Sequence, residues 1–188
     1  MSKPFIGIKR LWYGAELTKA QADSLTNAAA VKTLVSGSGF KEIKNVHEGT
    51  WGYSQDDPSV TDYINELTGK PYYRDKTSDG ARTINFTLGV YDFSDKAALQ
   101  GGEVIKDNNV EVGWKSSGSL ENVEKCVVAM TKTGNYIIFS DASIVAKGDQ
   151  QEKNIGLGIT AVCMESEIEG VEAEYMFEGG DEWNTPSA

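Results

Sequence analysis

The single histidine of this 188-residue chain, His47, is where acid–base or nucleophilic chemistry would have to start. A Ser-His-Asp site would combine it with a serine of ordinary context, because the chain has no second histidine and no Gly-x-Ser-x-Gly elbow. His47, beside Glu48, therefore reads as a surface or interface residue. Two cysteines, Cys126 and Cys163, each sit inside an apolar stretch. They are too few for a disulfide scaffold or a four-ligand zinc site, and buried free thiols are expected. Asp56-Asp57 lacks the spaced oxygen ligands and terminal glutamate of a calcium loop, so a turn stiffened by Pro58 is the better account. Gly156-Leu-Gly158 starts a strand instead of following one, and no glycine-rich phosphate loop occurs. Lys147-Gly-Asp149 and Asn85-Phe-Thr87 are short motifs common by chance. No catalytic residue, metal-ligand set, cofactor or small-molecule substrate is predicted.

Two stretches carry more information. From Asn154 to Ala188 no Lys or Arg occurs, whereas Glu165, Glu167, Glu169, Glu172, Glu174, Glu178, Asp181 and Glu182 do. Side chains alternate across a strand. On that pattern Glu165 and Glu167 share the face of Ala161 and Cys163, while Val171, Ala173, Tyr175 and Phe177 oppose Glu172 and Glu174. One sheet face should be rich in carboxylates, either as an ordinary solvated surface or as a repulsive wall. The second stretch is a polar and aromatic arm, Trp51 to Thr77. Leu67-Thr-Gly-Lys-Pro71 reads as a turn, which makes the arm a hairpin of Val60 to Glu66 against Tyr72 to Lys76. Tyr63, Ile64, Leu67, Tyr72 and Tyr73 give it more apolar and aromatic surface than a free loop needs. A lone hairpin is marginal in water, so it should dock on something.

Elsewhere the pattern predicts a β-rich frame. Phe5 to Tyr13 reads as a strand. Thr18-Lys-Ala-Gln21 fits a capping box. Leu17, Ala20, Ala28, Val31, Leu34 and Val35 then fall on one face of a helix that stops at Gly37-Ser-Gly39. Its many alanines make that face shallow, suited to lying flat on a sheet. Further strands are expected over Lys41 to Trp51, Arg82 to Tyr91, Val110 to Trp114, Asn122 to Thr131, Tyr136 to Lys147, Ile155 to Glu167 and Val171 to Phe177, with a hairpin turn at Lys132-Thr-Gly-Asn135. A short helix capped by Ser94 ends at Gly101-Gly102. The fold class is mainly β (α+β): an antiparallel β-sandwich or barrel with one flanking α-helix and a long hairpin arm. Residues 1–180 form one domain, the arm occupies about 52–80, and 181–188 is a loose C-terminal tail.

At 20.4 kDa, with 39% hydrophobic, 10% aromatic and 24% charged residues, the composition is that of a folded globular protein. The start never builds a signal-peptide core, and no apolar run approaches the ~20 residues that span a bilayer. A soluble, unsecreted product without a membrane partner is expected. A formal charge of −10 argues against electrostatic capture of nucleic acid.

The wording His47-Glu-Gly-Thr-Trp-Gly52, then Val60-Thr-Asp-Tyr-Ile-Asn-Glu-Leu-Thr-Gly-Lys-Pro-Tyr-Tyr73, then Thr83-Ile-Asn-Phe-Thr-Leu88 resembles the tail-tube (major tail) proteins of long-tailed bacteriophages and prophages. The order continues through Asn122-Val-Glu-Lys125, Ile144-Val-Ala-Lys147 and Ile159-Thr-Ala-Val162, so the resemblance covers most of the chain. It implies a β-sandwich or barrel whose copies form rings, commonly hexameric, stacked into the tube through which DNA passes without specific binding. The implied partners are further copies of itself and other tail proteins. The implied location is the virion tail, assembled in the host bacterial cytoplasm. The arm corresponds to the family's long hairpin loop, which makes Tyr63, Ile64, Tyr72, Tyr73 and Arg74 the expected subunit contacts. Glu165, Glu167, Glu172 and Glu174 become candidates for the lumen. A β-sandwich carbohydrate-binding module, using Trp12, Trp51 and Trp114 as stacking platforms, is the alternative. The tube of a contractile injection or secretion system is a further version.

Overall fold

The computed structural model describes residues 3–118 and 121–180. The predicted tail, 181–188, lies outside the described residues. Strand accounts for 48% of the described residues and helix for 12%, so the fold is mainly β. In chain order the elements are β1 (Arg10–Gly14), α1 (Lys19–Ser24), α2 (Ala28–Val35), β2 (Phe40–Ile43), β3 (Gly52–Gln55), β4 (Ser59–Asn65), β5 (Lys70–Ser78), β6 (Arg82–Leu88), α3 (Phe93–Gln100), β7 (Glu103–Asp107), β8 (Val110–Lys115), β9 (Val123–Met130), β10 (Tyr136–Gln151), β11 (Asn154–Cys163) and β12 (Glu174–Phe177).

One antiparallel sheet runs β2-β1-β9-β10-β11-β6-β3, and β12 also pairs with β10. The predicted turn at Lys132–Asn135 joins β9 to β10 and sets Met130 opposite Tyr136. Alternation sorts the side chains into two cores. Leu11 and Tyr13, Val127 and Ala129, Ile137 and Phe139, Ile84, Phe86 and Leu88, and Leu157, Ile159 and Ala161 form one continuous cluster with Leu99 of α3. A cluster that joins β1 to β6 in this way lies inside the curl of the sheet. Trp12, Cys126, Val128, Met130, Tyr136 and Ile138 point to the other side. There α1 and α2 cover them with Leu17, Ala22, Leu25, Ala28, Val31 and Val35. The edge strands β2 and β3 do not pair with each other, so the curl is an open, sandwich-like sheet and not a closed barrel.

The strand β10 makes this possible. Its register against β9 runs from Tyr136↔Met130 to Phe139↔Val127, then resumes at Ala142↔Lys125. Ser140 and Asp141 together face Cys126, which is a β-bulge. The extra residue reverses the alternation. Ile137 and Phe139 point into the curl before it, and Ala142 and Ile144 after it. One strand of 16 residues can thus pair with β12 along its first part and β11 along its second.

Several expectations need correction. The single flanking helix is two. Thr18 does form the capping box with Gln21, whose amide donates to the Thr18 hydroxyl at 3.3 Å while the Thr18 amide donates to Gln21 Oε1 at 2.9 Å. Leu25, however, leaves helical geometry, and Asn27 caps a new helix by accepting from the Ala30 amide at 3.0 Å. Short polar side chains such as Asn compete with the backbone for hydrogen bonds. The break lets Leu25 and Ala28 both reach the sheet. At α3 the cap is Asp92 rather than Ser94. Asp92 accepts from the Asp95 amide at 2.7 Å and from the Ser94 hydroxyl, and Lys41 Nζ closes on it from β2 at 3.1 Å. Burial pushes the Asp92 carboxyl up, but the hydrogen bonds from Ser94, the Asp95 amide and Lys41 together hold it well below the usual carboxylate range. The strand expected over Lys41 to Trp51 ends at Ile43, that expected over Ile155 to Glu167 ends at Cys163, and β12 begins only at Glu174. Strand β7, paired with β8, had no sequence prediction.

Replacing Asn27 with Ala is expected to cost about 1 kcal/mol of unfolding free energy, read from the midpoint of urea denaturation. An unchanged midpoint would show that the α2 cap contributes nothing.

The projecting arm and the acidic groove beside it

The arm is a continuation of the edge pair. Strand β3 aligns with β6 from Gly52↔Asn85 to Gln55↔Arg82, so the first residues of the predicted arm belong to the main sheet. Beyond Gln55 the chains stay close: the Asp56 amide donates to the Ala81 carbonyl at 2.9 Å, and Gln55 Nε2 to the Asp79 carbonyl at 2.9 Å. Gly80 makes this root possible. Its φ is +78°, and a Cβ there would stand 2.1 Å from the Asp56 carbonyl oxygen, so no other residue fits without displacement.

Strands β4 and β5 form a two-stranded sheet that pairs only with itself among the described residues. Its turn is closed by the Gly69 amide, which donates to the Asn65 carbonyl at 2.8 Å, and by the Leu67 amide, which donates to Asn65 Oδ1 at 2.9 Å. Leu67 at the tip is 95% exposed. Tyr63 stands opposite Tyr73 with ring centroids 5.7 Å apart. Ile64 stands opposite Pro71, so Tyr72 is an extra residue in the ladder and projects, 70% exposed. On the alternate register Arg74 grips Asp62 through two bonds, Nε to Oδ1 at 2.5 Å and Nη2 to Oδ2 at 2.8 Å. That bidentate pair holds the Asp62 carboxyl below its ordinary range. Of the five predicted contact residues, Tyr63, Ile64, Tyr72 and Tyr73 present exposed apolar surface, and Arg74 is engaged within its own hairpin. Asp62 was not singled out from the sequence: counting back from the turn sets Tyr73 across from it, and only the extra residue Tyr72 brings Arg74 there.

The predicted carboxylate face is arranged differently from the expected strand. Glu165 and Glu167 lie past the end of β11, in the connection to β12, and Glu172 precedes β12. Glu165, Glu169, Glu172 and Glu174 line one groove of about 660 Å³ with Asp79 and Arg82, at the root of the arm. Glu174 is satisfied internally: Tyr53 Oη donates to its Oε1 at 2.9 Å and Arg82 Nε lies 3.2 Å from its Oε2. Burial, then the hydrogen bond to Glu174 and its charge, push the Tyr53 phenol up to about 12. Glu167 does not line this groove. Its charge acts instead on Asp141.

The His47 amide donates to the Thr87 carbonyl at 2.8 Å, and its carbonyl accepts the Thr50 hydroxyl at 2.8 Å. Both cysteines are free thiols. Burial raises each, Cys163 to about 11. Asp149, of the Lys-Gly-Asp motif, accepts from the Thr87 hydroxyl at 2.8 Å and from Gln151 Nε2 at 2.7 Å, which ties the two chance motifs together within the sheet. No helix among the described residues is long and apolar enough to cross a membrane. The chain matches no protein-family model and no curated protein sequence.

Gly80→Ala is expected to destabilise the root by about 1–3 kcal/mol and to speed hydrogen exchange at the Asp56 amide. Exchange at the parent rate would show that the root does not require glycine.

Proposed function

We propose that this protein is a self-assembling subunit of a tail tube, its copies joined into stacked rings through the arm. The observation that carries the reading is the arm itself. A hairpin built of Ser59–Asn65 and Lys70–Ser78, ending in a fully presented leucine and three exposed tyrosines, exposes apolar surface that its own body does not cover. Tyrosine anchors of this kind belong to permanent interfaces. A head-to-tail contact closes into a ring when its rotation closes, and a second contact along the axis stacks rings into a tube. The order of sequence segments resembling tail-tube proteins points the same way. The two unpaired edges, β2 and β3, offer backbone groups to neighbouring copies. The net charge of −10 and the groove of Glu165, Glu169 and Glu172 suit a conduit for DNA, since carboxylates repel phosphate and keep the polymer from adhering.

The carbohydrate-binding alternative needs exposed, coplanar indoles, and the three tryptophans do not offer them. Trp12 is 2% exposed, in the core beneath the helices. Trp51 and Trp114 are half-buried, and Trp114 Nε1 donates to the Gly101 carbonyl at 2.9 Å.

Electron micrographs of concentrated protein are expected to show stacked rings. Replacing residues 57–79 with a two-residue turn should leave unfolding unchanged within a few degrees, because nothing in the core is removed, and should abolish rings; normal tubes in negative stain would refute the reading. Glu165, Glu167 and Glu172 changed together to Lys should raise DNA retention by assembled tubes in low-salt co-sedimentation. Retention equal to the parent's would remove these residues from the lumen. Glu174 is left unchanged, because its loss would strip Arg82 and Tyr53 of their partner.

A further inference from the structure

The bulge in β10 gathers a second set of carboxylates, apart from both the arm and the acidic groove. It turns Asp141 inward, where the residue is 4% exposed. Three backbone hydrogen bonds hold the bulge: the Leu17 amide to the Ser140 carbonyl at 3.1 Å, the Ser140 amide to the Ala173 carbonyl at 3.0 Å, and the Met164 amide to the Asp141 carbonyl at 3.0 Å. The first of these draws Glu16, next to Leu17, against Asp141. Glu124 arrives from β9, which pairs with β10 beside the bulge. One carboxylate oxygen from each of Glu16, Glu124 and Asp141 lies within 4.8 Å of the other two.

Among the described residues, no Lys or Arg forms an ion pair with any of the three. Asp141 Oδ1 is buried and accepts no hydrogen bond. A buried, unpaired carboxylate costs several kcal/mol unless a proton or a cation compensates it. Burial, the hydrogen bond with the Glu16 carboxyl and the charges of Glu16, Glu124 and Glu167 push the Asp141 carboxyl up. One cation reaching the three converging oxygens would compensate all three groups.

We propose that Glu16, Glu124 and Asp141 bind one calcium ion. Hard oxygen donors without nitrogen or sulfur exclude a preference for zinc. Two oxygens on one calcium, each at 2.3–2.6 Å, stand at most about 5 Å apart, and the observed spacing falls inside that limit. Magnesium demands a near-ideal octahedron at about 2.1 Å and keeps most of its waters, so a site of three protein carboxylates suits it less well. Access is open, because Glu16 and Glu124 line a cavity of about 650 Å³ together with Thr18 and Glu121. Water from that cavity completes the coordination. The ion would clamp the β1–α1 connection, β9 and the bulge of β10, which are three consecutive parts of the sheet.

The test uses the full chain freed of metal at pH 7.5, with calcium chloride and magnesium chloride titrated separately by calorimetry and thermal unfolding. One calcium per chain is expected, with a melting temperature that rises as calcium is added and an affinity for calcium about tenfold or more above that for magnesium. Glu124→Gln alters an exposed side chain and should fold normally, yet bind calcium at least about tenfold more weakly. Asp141→Asn removes the buried charge and should abolish the calcium response. Glu172→Gln, in the other groove, should leave the response intact. No heat and no melting shift in about 10 mM calcium, equal response to both cations, or undiminished binding in Glu124→Gln and Asp141→Asn would each overturn the proposal.

Discussion

One inserted residue at Ser140–Asp141 sets how the two halves of β10 face the core. A strand without it would keep Ile137 and Ala142 on opposite faces, and the long β10 could serve only one core. With one residue inserted, both halves of β10 turn their apolar side chains to the inside of the curl, while Tyr136 and Ile138 still support the helices behind it. The bulge also frees backbone groups that must find partners elsewhere. They find them in Leu17, Ala173 and Met164, so the irregularity binds the helix connection and the β11–β12 connection to the centre of the sheet. Because bulges re-aim side chains, the same insertion that shapes the fold sends a carboxylate inward.

A division of labour follows between interior and periphery. The interior spends its apolar residues on two packed faces, and most of its polar groups are tied down, as with Glu174 between Tyr53 and Arg82, while Asp141 Oδ1 and Gln100 Oε1 are left without a hydrogen bond. The arm does the reverse. Strands β4 and β5 hold each other by their ladder, by the Tyr63–Tyr73 contact and by the Asp62–Arg74 grip, and leave their apolar surface outside. Exposed ion pairs contribute little to stability, so the grip's role is to hold one hairpin shape. A preformed shape lowers the ordering cost of docking, which suits the proposed assembly role.

Much of this was legible in the residues. Period-two alternation located β6, β9 and the first part of β10, and the arm was readable because turn chemistry at Leu67–Pro71 sits between aromatic strands. The Thr18–Gln21 box marked a helix start to the residue. Local patterns failed where competing local signals were close in strength. Asn27, before three alanines, could cap a new helix or sit inside an old one, and only the sheet beneath decides. Asp92 and Ser94 both suit a cap; Lys41, distant in sequence, reaches both from β2, and it is Asp92 that accepts the Asp95 amide. The alternation of Glu165 and Glu167 looked like a strand, yet the ladder partners of β11 end at Cys163, and alternation without a partner does not make a sheet.

Composition and local pattern alone determined that this chain is a β-rich protein with an acidic end and an aromatic hairpin, since turn chemistry and side-chain periodicity are properties of neighbours in sequence. That Glu16, Glu124 and Asp141 meet, that Glu174 is paired while Glu165 and Glu172 share a groove, and that β10 serves three partners, β9, β11 and β12, emerges only in the packed chain. Those outcomes depend on strand register and one inserted residue. Register is set by packing across the whole sheet, from Leu11 against Ala129 to Phe86 against Ile159, which no local window contains.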